Sequence, residues 1–215
     1  MPMEEMSMKK MIATMVTVLT IILALGGCAE EEKEYSRDGY YLKLAEEAGS
    51  ADEVYTIIDE YKANNDETEL PIFLEELAEV NDVSQTALIC SDEYRNADIL
   101  IRILKNPKWI NMDHYQVREI IRNAICQTDL TESEEMEIAK LDERTYHEGL
   151  LQRANVSCEA LCYVASKATT ALNLDYFGYR DLFTNQVLER EWSVEEKEEL
   201  LDTENSTIEK ALLAS

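Results

Sequence analysis

Glycine and proline are scarce in this chain, six and three among 215 residues. Two of the glycines are Gly26 and Gly27, and no two of the others, Gly39, Gly49, Gly149 and Gly178, lie close together. A Gly-rich phosphate cradle cannot be assembled from them, which excludes P-loop and dinucleotide-binding folds. Basic residues are also few: 20 Lys and Arg stand against 45 Asp and Glu, a net charge of -25. Nucleic-acid binding needs a basic patch, and none is present; an anionic bilayer surface repels the same charge. With only two histidines, neither a Ser-His-Asp spacing nor a His-Glu-x-x-His motif occurs. Runs of strict apolar–polar alternation are missing, so the chain is predicted to be all-α.

The first 30 residues have a different character. Lys9 and Lys10 precede a stretch from Met11 to Leu25 that is apolar except for Thr14, Thr17 and Thr20. As a helix it is about 23 Å long, short of the roughly 30 Å hydrocarbon layer. A basic start, a short apolar stretch and a small-residue end form a secretory signal pattern. Glu4 and Glu5 do not belong in a basic leader, which points to Met6 or Met8 as the start. The block Leu25-Gly26-Gly27-Cys28 resembles a bacterial lipobox, with Gly26 standing where Ala or Ser is commoner. The resemblance implies cleavage between Gly27 and Cys28 and a lipid on Cys28, the one residue of the block that can carry a thioether. Residues 1–27 are then the signal peptide. Residues 28–39, almost entirely charged and polar, read as a solvated tether. Two acyl chains hold such a protein in the bilayer, each buried CH₂ contributing about 0.8 kcal/mol. The localisation implied is the bacterial cell envelope, outside the cytoplasm.

From residue 40 to 215 the pattern is helical. Val54, Ile57, Ile58 and Tyr61 share one helix face, with Ser50 and Glu53 before them as a capping box. Val117, Ile120, Ile121, Ala124 and Ile125 form a second stripe, Leu161, Val164, Ala165 and Ala168 a third, and Tyr179, Leu182, Phe183 and Val187 a fourth. A punctuation recurs at residues 81–88, 108–115 and 154–161: an apolar residue, then Ser or Asn, then a second apolar residue a turn later. It is predicted to be an N-cap with a hydrophobic staple, pairing Val83 with Leu88, Ile110 with Tyr115 and Val156 with Leu161. Looser copies follow Leu130 and Trp192. These five anchors are about 27, 20, 26 and 36 residues apart, intervals of the size found in stacked helical repeats.

The stretch RILKNPKWINMDHYQVREII (102–121), with its Asn-Pro turn between two short helices, resembles a variant leucine-rich repeat, and YHEGLLQRANVSCEALCYVA (146–165) is similar without the proline. The resemblance, to variant leucine-rich or HEAT-like helical repeats, covers residues 82–213. It implies a binding surface rather than a reaction. The predicted architecture is an array of stacked short helices, or else an irregular helical bundle.

Four cysteines lie beyond Cys28: Cys90, Cys126, Cys158 and Cys162. Cys158 and Cys162 share the apolar stripe of Leu161 and Ala165, so buried thiols are predicted, with disulfides as the alternative. Cys-x-x-Cys pairs are missing, and no metal ligand or cofactor is expected. His147 falls with Leu150 and Leu151 on an inward face, one turn after Glu143, and reads as a structural histidine. His114 sits in the first turn after a predicted Asn111 cap. Asn173, Asp175 and Gly178 imitate a calcium loop, but Phe177 and Thr184 occupy ligand positions, so residues 173–184 read as an inter-helix loop. Asn155-Val156-Ser157 and Asn205-Ser206-Thr207 have the form of glycosylation acceptors and read as helix caps.

The acid excess serves solubility, or else forms a surface for a basic partner. Trp109, Tyr115, Tyr146, Tyr179 and Trp192 recur where a repeat surface would expose them and are the candidate partner-binding aromatics. The expected function is a membrane-anchored lipoprotein that uses a helical-repeat domain to bind or scaffold an envelope protein or peptide. An envelope enzyme without a recognisable motif is the alternative. A solute-binding lipoprotein would need strand-rich lobes that this pattern lacks.

Overall fold

The computed structural model describes residues 37–109, 115–168 and 177–214. The leader, the Gly27–Cys28 junction and nearly all of the tether lie outside the described residues, as do Ile110, Asn111, His114, Asn173 and Asp175. The chain divides into two units, Met1–Tyr40 and Tyr41–Ser215.

The described residues form twelve helices and no strand. In chain order these are α1 (Arg37–Glu47), α2 (Ala51–Asn64), α3 (Leu70–Leu77), α4 (Asp82–Cys90), α5 (Ala97–Lys105) and α6 (Tyr115–Gln127). They continue as α7 (Glu132–Ala139), α8 (Arg144–Leu151), α9 (Cys158–Lys167), α10 (Phe177–Leu188), α11 (Val194–Asp202) and α12 (Ser206–Ala214). Each helix from α2 onward packs on the next but one. The even-numbered helices α2 to α12 stack as one row, and α3, α5, α7, α9 and α11 as a second. First-row helices begin at residues 51, 82, 115, 144, 177 and 206, steps of 31, 33, 29, 33 and 29. The fold is therefore an array of two-helix repeats, each burying its apolar faces on its neighbours.

The sequence explains where each helix begins. Val54, Ile57, Ile58 and Tyr61 are all buried on the inner face of α2. Ser50 caps α2 by accepting from the Glu53 N–H, while Glu53 reaches back to the Gly49 N–H at 2.7 Å rather than to its own cap. Thr131 with Glu134 and Ser193 with Glu196 form complete capping boxes on α7 and α11. The expected staple at residues 83–88 is corrected. Asn81 is the cap of α4, accepting from the Ser84 N–H at 2.8 Å, and Val83 lies inside the helix. Residues 173–184, read as a loop, are helical from Phe177 onward. Ser157 caps α9 as expected, with Val156 and Leu161 both buried beside it. Ser157→Ala should lower stability by about 0.5–2 kcal/mol, and Ser157→Gly by only a few tenths. Equal losses for the two in urea melts would contradict a capping role.

Polar side chains link the rungs. Gln85 donates to the carbonyls of Ala78 and Asn106 and accepts from the Lys108 N–H. Gln186 donates to those of Leu151 and Arg153. Asn81 and Asn205 cap α4 and α12 and donate backward to the carbonyls of Ala45 on α1 and Ala165 on α9. The first row closes tightly at Gly149, where a Cβ would come within 2.9 Å of Ile125 Cβ.

Candidate functional site

The second row presents its polar faces side by side. α5 turns Ile99, Leu100, Ile103 and Leu104 into the core, which leaves Asp98, Arg102 and Lys105 outside. α3 buries Phe73, Leu74 and Leu77 and directs Glu75 and Glu76 away from the core. α7 buries Ile138 and Ala139 and leaves Glu132, Glu134 and Glu137 in contact with solvent. A groove of about 540 Å³ results, crossing α3, α5 and α7. Five acids line it, Glu75, Glu79, Asp98, Glu134 and Glu137, against two bases, Arg102 and Lys105.

Those two bases are already held. Arg102 meets Glu75 at 2.5 Å and Glu79 at 3.8 Å, and Lys105 meets Glu137 at 2.5 Å. Asn106 donates to Glu79 at 2.7 Å. These pairs tie α5 to its neighbours and leave the groove with a surplus of negative charge. A second depression of about 510 Å³ shares Glu137 and continues the surface over Glu132 and Lys140 to Glu159 on α9. The acids thus form a stripe along successive rungs. An extended, positively charged segment can lie along such a stripe, and attraction of this kind mainly sets encounter rate and partner choice.

Three of the five candidate aromatics are buried in the core and present no surface to a partner. Tyr146, Tyr179 and Trp192 are core residues, 3%, 5% and 6% exposed. Each spends its polar group on the fold: the Tyr146 hydroxyl donates to the Leu104 carbonyl, the Tyr179 hydroxyl to that of Arg144, and the Trp192 indole N–H to that of Val187. Burial pushes both phenols up from their ordinary pKa. Trp109 is half-buried and donates to Thr86 Oγ1. Tyr115 alone of the five is well exposed, at 65%. Large residues at helix starts and inner faces close the rungs, and periodicity cannot separate that role from display.

A smaller cavity, about 350 Å³, lies among α8, α9 and α10, lined by Arg144, His147, Lys167 and Tyr179 with Asp142. Its polar groups are engaged. Arg144 pairs with Glu148 at 2.9 Å and stacks over the Tyr179 ring, and Lys167 pairs with Asp142 at 3.3 Å. His147 is buried, with Nε2 2.8 Å from the Ala139 carbonyl, so it fastens α8 to the end of α7. The structural role expected for it is the one its geometry supports.

All four described cysteines are free thiols. Cys158 and Cys162 are half-buried rather than fully buried, lying on the edge of α9 that faces Glu199 of α11. Burial first, then Cys162 and the Glu199 and Glu196 carboxylates, push the Cys158 thiol up to about 12.

No helix among the described residues is long and apolar enough to cross a membrane. Neither models of known protein families, nor curated proteins, nor solved structures give a match to this chain.

Proposed function

We propose that the chain is a lipid-anchored scaffold of the bacterial cell envelope. Cys28 carries the acyl chains, residues 28–39 stand the domain off the bilayer, and the helical array holds a basic segment of an envelope protein or peptide. The anchor rests on the run of sequence ending at Leu25-Gly26-Gly27-Cys28. The binding role rests chiefly on one observation: the second row lines up a groove in which five acids surround two bases that are already paired. Solubility needs acids dispersed over a surface; it does not need them aligned along successive rungs. The chain's excess of acid, 45 Asp and Glu against 20 Lys and Arg, keeps the domain off anionic headgroups.

Binding of an oligolysine peptide to the full chain should weaken steeply with salt, because the Debye length falls to about 10 Å at 0.1 M ionic strength. Reversing Asp98, Glu132 and Glu159 to lysine should weaken it at least about tenfold, roughly 1.4 kcal/mol shared over three exposed charges. Reversing three exposed first-row acids instead, Asp59 and Glu60 on α2 and Asp181 on α10, should change it far less. Equal losses from the two sets would assign the binding to net charge alone and remove the groove from the proposal.

A further inference from the structure

We infer that Cys158, Cys162 and Glu199 form a binding site for a thiolate-seeking cation of the zinc class. One sulfur, the next sulfur one turn along α9, and a carboxylate oxygen from α11 all lie within 4.8 Å of one another. The two sulfurs are 3.9 Å apart. Two thiolates on a tetrahedral zinc, with bonds of about 2.3 Å, sit about 3.8 Å apart, so the pair needs almost no movement to share an ion.

The same spacing argues against a disulfide as the purpose of the pair. Side chains four apart on a helix have Cβ atoms about 5–6 Å from each other, whereas a disulfide brings them to about 3.5–4.5 Å. Oxidation would have to unwind the first turn of α9, which Ser157 caps and Glu135 supports through the Ser157 N–H at 2.7 Å. A bridging ion has no such requirement.

Ligand chemistry selects the cation. Two sulfurs and one oxygen suit zinc and softer ions and disfavour calcium and magnesium, which take oxygen. On binding, each thiol releases its proton to solvent. Two thiolates and the Glu199 carboxylate then carry three negative charges against a divalent ion, with water completing the tetrahedron. Glu199 is exposed and both thiols are half-buried, which leaves an entry path from solvent. The ion would clamp α9 to α11 and stiffen the last rungs of the array. This site is separate from the acidic groove on α3, α5 and α7 and does not depend on it.

Cobalt serves as the spectroscopic stand-in for zinc. The full chain carrying Cys28→Ser, Cys90→Ser and Cys126→Ser, reduced and metal-free, should bind one equivalent of Co²⁺. Binding should bring a sulfur-to-cobalt charge-transfer band and tetrahedral d–d absorption, and Zn²⁺ should displace both. Glu199→Gln should weaken cobalt binding at least about tenfold. Adding Cys158→Ser and Cys162→Ser should abolish the band while the helical circular dichroism persists. No charge-transfer band at saturating Co²⁺, a band that survives the double serine change, or an affinity untouched by Glu199→Gln would overturn the site.

Discussion

Glu135→Ala should destabilise the domain by about 3–5 kcal/mol, the cost of breaking one side of a buried ion pair. Glu135 is 3% exposed, and its two oxygens hold two points of the connection between α8 and α9. Oε1 accepts from Arg153 Nε at 2.9 Å, and Oε2 accepts from the Ser157 N–H at 2.7 Å. Arg153 in turn donates to the carbonyls of Ile125 and Thr128 at the end of α6. One carboxylate therefore joins α7 to the start of α9 and, through Arg153, to α6. Alanine leaves a half-buried guanidinium without its counter-charge and a buried N–H without an acceptor. Against a typical total of about 5–15 kcal/mol, that loss is large. Glu135→Gln keeps one acceptor and should cost less than alanine. Chemical denaturation of the three proteins gives the ranking; an alanine variant within about 0.5 kcal/mol of the parent would show that the pair contributes nothing net.

Cys28→Ala should abolish processing altogether. With Cys28 present, the mature protein should begin at that residue and carry the mass of its acyl chains. With alanine there, residues 1–27 should stay attached and the acyl mass should be missing. The apolar stretch of about 23 Å is too short to span a layer of roughly 30 Å unaided, so the two forms should also partition differently into detergent. Intact mass of both proteins from envelope fractions is the measurement. A leader of the same length in both, with no lipid on either, would replace the lipid anchor with an uncleaved one.

The helical faces were legible because each is carried by neighbours in the chain. The stripes of α2, α6, α9 and α10 follow from spacing alone, and Ser157, Thr131 and Ser193 announce their helices by the apolar residue before each cap. The repeat period was harder to see. The anchors Leu130, Val156 and Trp192 precede second-row helices, whereas Val83 lies in a first-row helix. Mixing the rows gave uneven intervals where each row alone steps by about one repeat. The true cap at Asn81 was obscured by Ser84, which has the chemistry of a cap but is buried inside α4.

The candidate sites were less legible, for a physical reason. The acidic stripe joins residues from α3 to α9, and Glu199 meets Cys158 only because α11 packs on α9. Neither juxtaposition leaves a local motif. The aromatics misled in the opposite sense. Tyr146, Tyr179 and Trp192 each donate to a backbone carbonyl, which is what lets a large amphipathic side chain close a rung from within.

The scaffold role is tested most directly by site-specific photo-crosslinking of the full chain in its native envelope. A photoreactive residue at position 98 or 132, on the second row, should give a discrete adduct, and the linked peptide should be rich in lysine and arginine. The same residue at position 59 or 60, on the first row, should give little. Adducts of equal yield from both rows, or linked peptides with no excess of basic residues, would contradict the proposal that this array holds a basic partner along its second row.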